Sequence, residues 1–325
     1  MRRILTRLAV LLALVGALAG ALAVYDRPPV APGTWLAAAG LEARHETVDG
    51  HRLRYVRSGS GPAVVLVHGF GSSLFTWKDV IPALAASHDV VALDLPGFGE
   101  SDLPANLSFE DLPRAVVGLM DALGIARATL VGNSMGGATA AVVAARHPDR
   151  VTALVLIDAA GFNLAPSEHP GMVRLTESSL APVLSLSPGK RLIVESSLRQ
   201  VFHDPAKVTP ERLSEYLHAA LRPGTLPAIR SLGASLRDRS DVVLAALPRI
   251  QAPTLVLWGD DDRWIPIAHA DRFVAAIPGA RKVVVAACGH VPQEEKPEEV
   301  ARLLLAFLAP RRPLNGDGRA APGRG

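Results

Sequence analysis

One cysteine in 325 residues, Cys288, leaves no partner for an internal disulfide. Cys288 stands two residues before His290, which invites a catalytic reading. A small buried residue at a tight strand end is the simpler one. Charge is also sparse: 20% of residues are charged, and the net charge is only +3. The arginines are scattered and form no patch interleaved with aromatics, so a nucleic-acid partner has no signature here. There is no Cys/His cluster of metal-ligand spacing and no Gly-x-x-x-x-Gly-Lys loop. Nothing therefore points to a metal or cofactor.

What is abundant is apolar: 49% of residues are hydrophobic. That fits a globular enzyme with an apolar extension rather than a disordered chain. The extension is N-terminal. Arg2, Arg3 and Arg7 precede an uninterrupted apolar run from Leu8 to Val24. As a helix the run would span about 26 Å, slightly short of a bilayer core of about 30 Å. It is also longer than an ordinary signal-peptide core. Its length favours a retained anchor; Ala21-Leu22-Ala23 resembles a cleavage site and keeps a removed signal open. Either way the arginines should stay inside and the remainder of the chain outside the cytoplasm, periplasmic or extracellular. No cysteine follows the run, which excludes a bacterial lipoprotein.

The most informative stretch is Gly132-Asn133-Ser134-Met135-Gly136. It joins an apolar run, Ala128 to Val131, to a small-residue helical run, Gly137 to Arg146. A strand, a sharp turn and a helix with serine at the apex expose that serine above a sheet. The helix aims its free N–H groups and positive dipole end at the same spot. A serine hydroxyl is a weak nucleophile unless a base takes its proton and donors hold the oxyanion. The missing parts should follow in the order Ser, acid, His.

Upstream, the strand Ala63 to Val67 ends in His68-Gly69-Phe70-Gly71. The Phe70 and Met135 N–H groups are the candidate oxyanion donors. His68 precedes the serine and reads as a loop-shaping histidine bonded to backbone. Downstream, Thr254 to Trp258 ends in Gly259-Asp260-Asp261-Asp262. All three carboxylates sit where an open α/β sheet carries its site, and chemistry alone does not choose among them. A last strand, Lys282 to Ala287, is followed by His290 and then by an acidic helix, Pro292 to Phe307. A histidine in that short loop can swing over the sheet edge toward Ser134.

With these motifs, and with Asp94-Leu95-Pro96-Gly97-Phe98-Gly99-Glu100-Ser101-Asp102, the chain resembles the α/β-hydrolase superfamily from about His45 to Leu308. The resemblance implies an α/β-hydrolase fold: a mostly parallel central sheet flanked by helices, with a helical cap insertion. It selects Asp262 as the acid, makes Asp94 a turn residue, and leaves Asp158, at the end of the strand Val151 to Ile157, as the backup acid. The implied triad is Ser134, Asp262 and His290, with an oxyanion hole from Phe70 and Met135.

The chain then divides into an anchor or signal (1–24), a linker (25–44), core (45–160), cap (161–250), core (251–309) and a disordered tail (310–325). In the cap, Thr209 is the expected N-cap of a helix with Pro210 at its first position. Leu213, Tyr216, Leu217, Ala220 and Leu221 share one face. A second helical stretch runs from Leu192 to Phe202. The implied activity is that of a carboxylesterase or lipase on small apolar or lipid-derived esters, similar to membrane-anchored monoacylglycerol-lipase-like hydrolases. The elbow is also similar to that of meta-cleavage product hydrolases, which split carbon–carbon bonds. Those enzymes carry a Gly-rich loop in place of Phe70-Gly71-Ser72-Ser73 and a tryptophan at Val291. Acyl transfer and a non-catalytic binding role complete the alternatives. Oligomeric state has no signature.

Overall fold

The computed structural model describes residues 2–163, 190–236 and 239–309. Its centre is one eight-stranded sheet. The strands are β1 (Arg44–Val48), β2 (His51–Ser58), β3 (Ala63–Val67), β4 (Asp89–Leu93), β5 (Ala128–Asn133), β6 (Val151–Ile157), β7 (Thr254–Gly259) and β8 (Arg281–Val285). Their spatial order is β1-β2-β4-β3-β5-β6-β7-β8. From β4 through β8 neighbouring strands are parallel, while β1–β2 and β2–β4 are antiparallel. Asp49 and Gly50 connect β1 to β2, both with positive φ (50° and 78°). That pair suits the tight two-residue turn whose twist matches a hairpin.

The helices are α1 (Arg2–Tyr25), α2 (Thr34–Ala38), α3 (Ile81–Ala85), α4 (Asp111–Ala122), α5 (Met135–Arg146), α6 (Lys190–Val201), α7 (Pro210–Leu221), α8 (Thr225–Leu236), α9 (Arg239–Ala246), α10 (Ala268–Ala276), α11 (Pro292–Glu295) and α12 (Pro297–Leu308). A parallel sheet must be covered on both faces, so its strands read as continuous β-branched runs. In β3 the alternation is visible residue by residue. Val65 and Val67 join a core with Val116 of α4, Val142 of α5 and Phe273 of α10. Val64 and Leu66 join the opposite core with Leu84 of α3 and Leu304 of α12. Each such buried side chain contributes about 1.5–3 kcal/mol relative to exposure.

Two expectations need correction. The acidic helix expected over Pro292 to Phe307 is two helices, broken at Lys296 (φ −133°, ψ 54°). Pro297 disfavours helical backbone in the residue before it. Glu294 and Glu295, in the first of the two, are buried. Second, the linker expected over 25–44 is docked along its proline-rich stretch 26–33. The Arg191 N–H donates to Asp26, Val30 N–H to Ser214 Oγ, and Gly33 N–H to Glu215 Oε1. Trp35 of α2 is buried beside Phe75, edge to face.

Among the described residues no helix is long and apolar enough to cross a membrane. What the structure shows is α1, with Leu11, Leu12, Leu14, Val15 and Leu18 exposed. The tail over 310–325, and 164–189 and 237–238 within the expected cap, lie outside the described residues.

Candidate active site

Ser134 sits between β5 and α5 with φ 55° and ψ −120°. A non-glycine residue there is strained by about 1–3 kcal/mol and persists only where its surroundings fix it. They do: its N–H donates to Ile157 O at 2.9 Å, and its carbonyl accepts from Ala138 and Ala160 N–H at 3.2 and 2.9 Å. A side chain at Gly132 would overlap the Gly136 carbonyl, and one at Gly136 the Val67 carbonyl. Only glycine lets the chain double back this tightly.

The other candidate parts come from three neighbouring strand ends. The loop after β3 approaches the serine so closely that a Cβ on Gly69 would lie 3.1 Å from Ser134 Cβ. Phe70 follows Gly69 in that loop. Met135 opens α5, and its N–H, as the first of a helix, has no intrahelical partner. The Phe70 side chain is 43% exposed and packs edge to face on Phe98. His68 is fully buried and spends both ring nitrogens on backbone. Nδ1 lies 2.7 Å from Gly69 O, and Nε2 accepts from Leu95 N–H at 3.0 Å. Burial pushes the imidazole below its ordinary range, so it is neutral with the proton on Nδ1. Asp94 is likewise structural. It accepts from the Leu74 and Glu100 N–H groups at 2.7 and 2.8 Å, and Arg54 lies beside it.

Among the three aspartates after β7, Asp262 faces the histidine. Its Oδ2 is 2.7 Å from His290 Nδ1, and both side chains are buried. Its Oδ1 accepts from Trp264 and Ile265 N–H at 2.8 and 3.0 Å. The Trp264 ring stacks on the imidazole at 5.9 Å. Asp261 instead pairs with His203 and Arg263 at the surface, and Asp260 accepts from Cys288 N–H. Cys288 is buried, and that burial pushes its thiol far up, away from nucleophilic use. Asp158, the backup acid, is buried next to Asp262 but donates nothing to and accepts nothing from His290.

Several positioning residues escaped the sequence reading. Asn133, inside the elbow, donates to Ile157 O and His290 O. The His290 loop is clamped from the cap: His290 N–H donates to Val201 O at 2.7 Å, and Glu295 accepts from Gly289, His203 and Asp204 N–H. Glu294 accepts from Thr76, Tyr216 and Arg212, and Tyr216 accepts from Ser72 Oγ. Burial and then the Glu294 charge push the Tyr216 phenol well above its ordinary range. In sequence these acids are indistinguishable from a solvated helix start; only Thr209-Pro210, which caps α7, marked the helix that meets them.

This arrangement has counterparts. The family model for the alpha/beta hydrolase fold matches residues 62–297. The chain is 34% identical over 275 residues to the 2-hydroxy-6-oxo-6-phenylhexa-2,4-dienoate hydrolase of Comamonas testosteroni, covering 80% of this chain and 92% of that one. It is 37% identical to the dihydrolipoyllysine-residue acetyltransferase component of the acetoin cleaving system of Pseudomonas putida, covering 86% of this chain and 72% of that one. A crystal structure of a membrane phospholipase A, described as a bacterial virulence factor, superposes with a TM-score of 0.72 at 32% identity, over 95% of this chain and 98% of that one. With the elbow, the sheet order and the matched residues together, the chain belongs to the α/β-hydrolase family and is a hydrolase of that fold.

Proposed function

We propose that this hydrolase cleaves carboxylic esters with apolar or lipid-derived acyl groups through an acyl-enzyme on Ser134. The observation that carries the reading is the buried Asp262–His290 pair, held 2.7 Å apart and tied to the strained serine elbow by the Asn133 amide, which donates to the His290 carbonyl at 3.1 Å. His290, oriented by Asp262, takes the Ser134 proton as Oγ attacks the ester carbonyl. The Phe70 and Met135 N–H groups hold the oxyanion. His290 returns the proton to the leaving alcohol, and a water deprotonated by His290 then releases the acid. Likeness to a phospholipase over 95% of this chain supports a lipid ester. The enzyme domain is proposed to lie outside the cytoplasm, supported by Arg2, Arg3 and Arg7 ahead of the apolar run.

A second reading, hydrolysis of a carbon–carbon bond in an aromatic dienoate, is favoured by the Comamonas relative's name. Against it stand Phe70-Gly71-Ser72-Ser73 and Val291. The likeness to an acetyltransferase component keeps acyl transfer as a variant on the same residues. The test is turnover of p-nitrophenyl esters from acetate to palmitate, of a phospholipid, and of a 6-phenyl dienoate, with Ser134→Ala alongside. Ester turnover lost in Ser134→Ala supports the first reading, and the chain-length optimum sizes the acyl site. Turnover of the dienoate alone replaces it with the second. Fractionation of cells making the full chain tests the location: activity in the cytosol overturns it.

A further inference from the structure

Asp158 ends β6 with its side chain wholly buried and its backbone at φ 44°, a left-handed conformation that aspartate and asparagine tolerate best among side-chain-bearing residues. Its N–H donates to Leu257 O at 3.0 Å, and its Oδ1 accepts from Gly259 N–H at 3.0 Å. The position is therefore fixed against β7. Oδ2 is buried and, among the described residues, meets no N–H or O–H donor. Oxygens of Asp158 and Asp262 and a ring nitrogen of His290 all lie within 4.8 Å of one another.

Two buried carboxylates this close cannot both be ionised. The surroundings decide which one keeps the charge. Asp262 has three donors: Trp264 N–H, Ile265 N–H and His290 Nδ1. Asp158 has one. Hydrogen bonds to a carboxylate favour its charged form, so the charge stays on Asp262. A proton on Asp158 then removes the like-charge conflict and turns the orphan oxygen into a donor. Two further titratable groups act on this centre. The Glu295 carboxylate faces it from α11, occupied by three backbone N–H groups, and the Cys288 thiol faces it from the loop after β8. Burial, then the Asp262 charge, push the Asp158 carboxyl well above the ordinary carboxylate range.

We propose that Asp158 is a protonated positioning residue that donates its O–H to Asp262 and so holds that acid in place for His290. Asp262 would be gripped from β6 through Asp158, from its own loop through Trp264 and Ile265, and from the loop after β8 through His290. The proposal rests on the serine-hydrolase reading for its kinetic consequences, but not for the proton itself.

The experiment compares Asp158→Asn and Asp158→Leu in the full chain. Asparagine keeps a donor, fits the left-handed backbone and carries no charge at any pH. Infrared difference spectra at pH 7 should show a protonated-carboxyl band in the parent that disappears in Asp158→Asn. No such loss overturns the proposal, whether or not any ester is turned over. With p-nitrophenyl esters, Asp158→Asn should keep kcat within about threefold and leave the acid limb of the kcat/KM profile in place, because no charge has been removed. If the acid limb moves to lower pH, an anion has been lost beside the imidazole and the proposal fails. Asp158→Leu should lower kcat at least about tenfold with KM within about twofold, the loss of a group that acts through orientation. Unchanged kcat in Asp158→Leu also overturns it. Should Asp158→Leu not fold, the infrared band and the Asp158→Asn profile still decide. No ester turnover by the folded parent would sink the proposed function, while the infrared band would still decide whether Asp158 holds a proton.

Discussion

The side-chain amide of Asn133 donates to the main-chain carbonyl of His290 at 3.1 Å, across 157 residues of chain. The residue beside Ser134 thus holds the loop that carries His290. The same amide reaches Ile157 O at 3.2 Å, at the end of the strand that carries Asp158. Asn133→Leu removes both bonds and leaves two buried carbonyls without this donor. Misplacing catalytic groups by about 1 Å costs on the order of 100-fold, so kcat should fall about 10- to 100-fold. KM should change little, because Asn133 is buried behind the site. Equal losses in kcat and kcat/KM in steady-state assays would confirm a positioning role; a change confined to KM would refute it.

Asp262 offers a sharper version of the same argument. Its Oδ2 lies 2.7 Å from His290 Nδ1 and so favours the tautomer with the proton there, which in the proposed mechanism leaves Nε2 as the base. Asp262→Asn keeps the shape but puts an amide where a carboxylate accepted. For triads of this type the loss is about 10⁴-fold in kcat. The same loss is expected here, measured on whichever ester the parent turns over best. Residual activity above the uncatalysed rate should remain, supplied by the oxyanion donors.

A third prediction concerns the grip of α7 on the core. Arg212 lies over Glu294 with Nε at 3.1 Å from Oε2, and both are largely buried. Such a pair adds little net stability as a pair. Removing one partner strands a buried charge and costs about 3–5 kcal/mol. Arg212→Met should therefore lower unfolding free energy by about that much in urea titrations. The double change Arg212→Met with Glu294→Gln should recover part of it. Tyr216→Phe is milder, at about 1–3 kcal/mol, since it removes one donor to Glu294 and one acceptor for Ser72.

The elements that sequence made legible are those where one strong local rule acts. β3 is legible because a buried parallel strand is an unbroken apolar run, and β6 is one from Ala153 to Ile157. The elbow was visible because its backbone admits only glycine at two positions. Pairing was not legible. Asp260, Asp261 and Asp262 are adjacent and chemically equal, and only the fold turns one inward to His290 and the others to Cys288 and Arg263. Glu294 and Glu295 misled for the same reason: a dipole-friendly acidic start and a buried clamp have one sequence signature. The docking of the linker was not legible because the partners of Asp26, Val30 and Gly33, namely Arg191, Ser214 and Glu215, lie far along the chain.

The pH dependence of stability should carry opposing signatures from His68 and Asp158. His68 is depressed by burial, so the unfolded chain takes up a proton near pH 6.5 that the folded chain refuses. Its contribution is full above that pH and is lost as pH falls through it. Asp158 is raised, by burial and then by Asp262, so the folded chain keeps a proton that the unfolded chain releases above about pH 4. Its contribution is full below about pH 4 and is lost as pH rises toward the folded value. Between pH 4 and 6.5 the two slopes oppose and partly cancel. Substitution separates them. Asp158→Asn removes the falling term, so its unfolding free energy should match the parent near pH 4 and exceed it progressively at higher pH. His68→Gln removes the rising term, so its stability relative to the parent should improve as pH falls below 6.5. Urea unfolding from pH 4 to 8 reads both. A parent and Asp158→Asn that stay parallel across that range would mean Asp158 titrates alike in both states, and the buried proton would have to be abandoned.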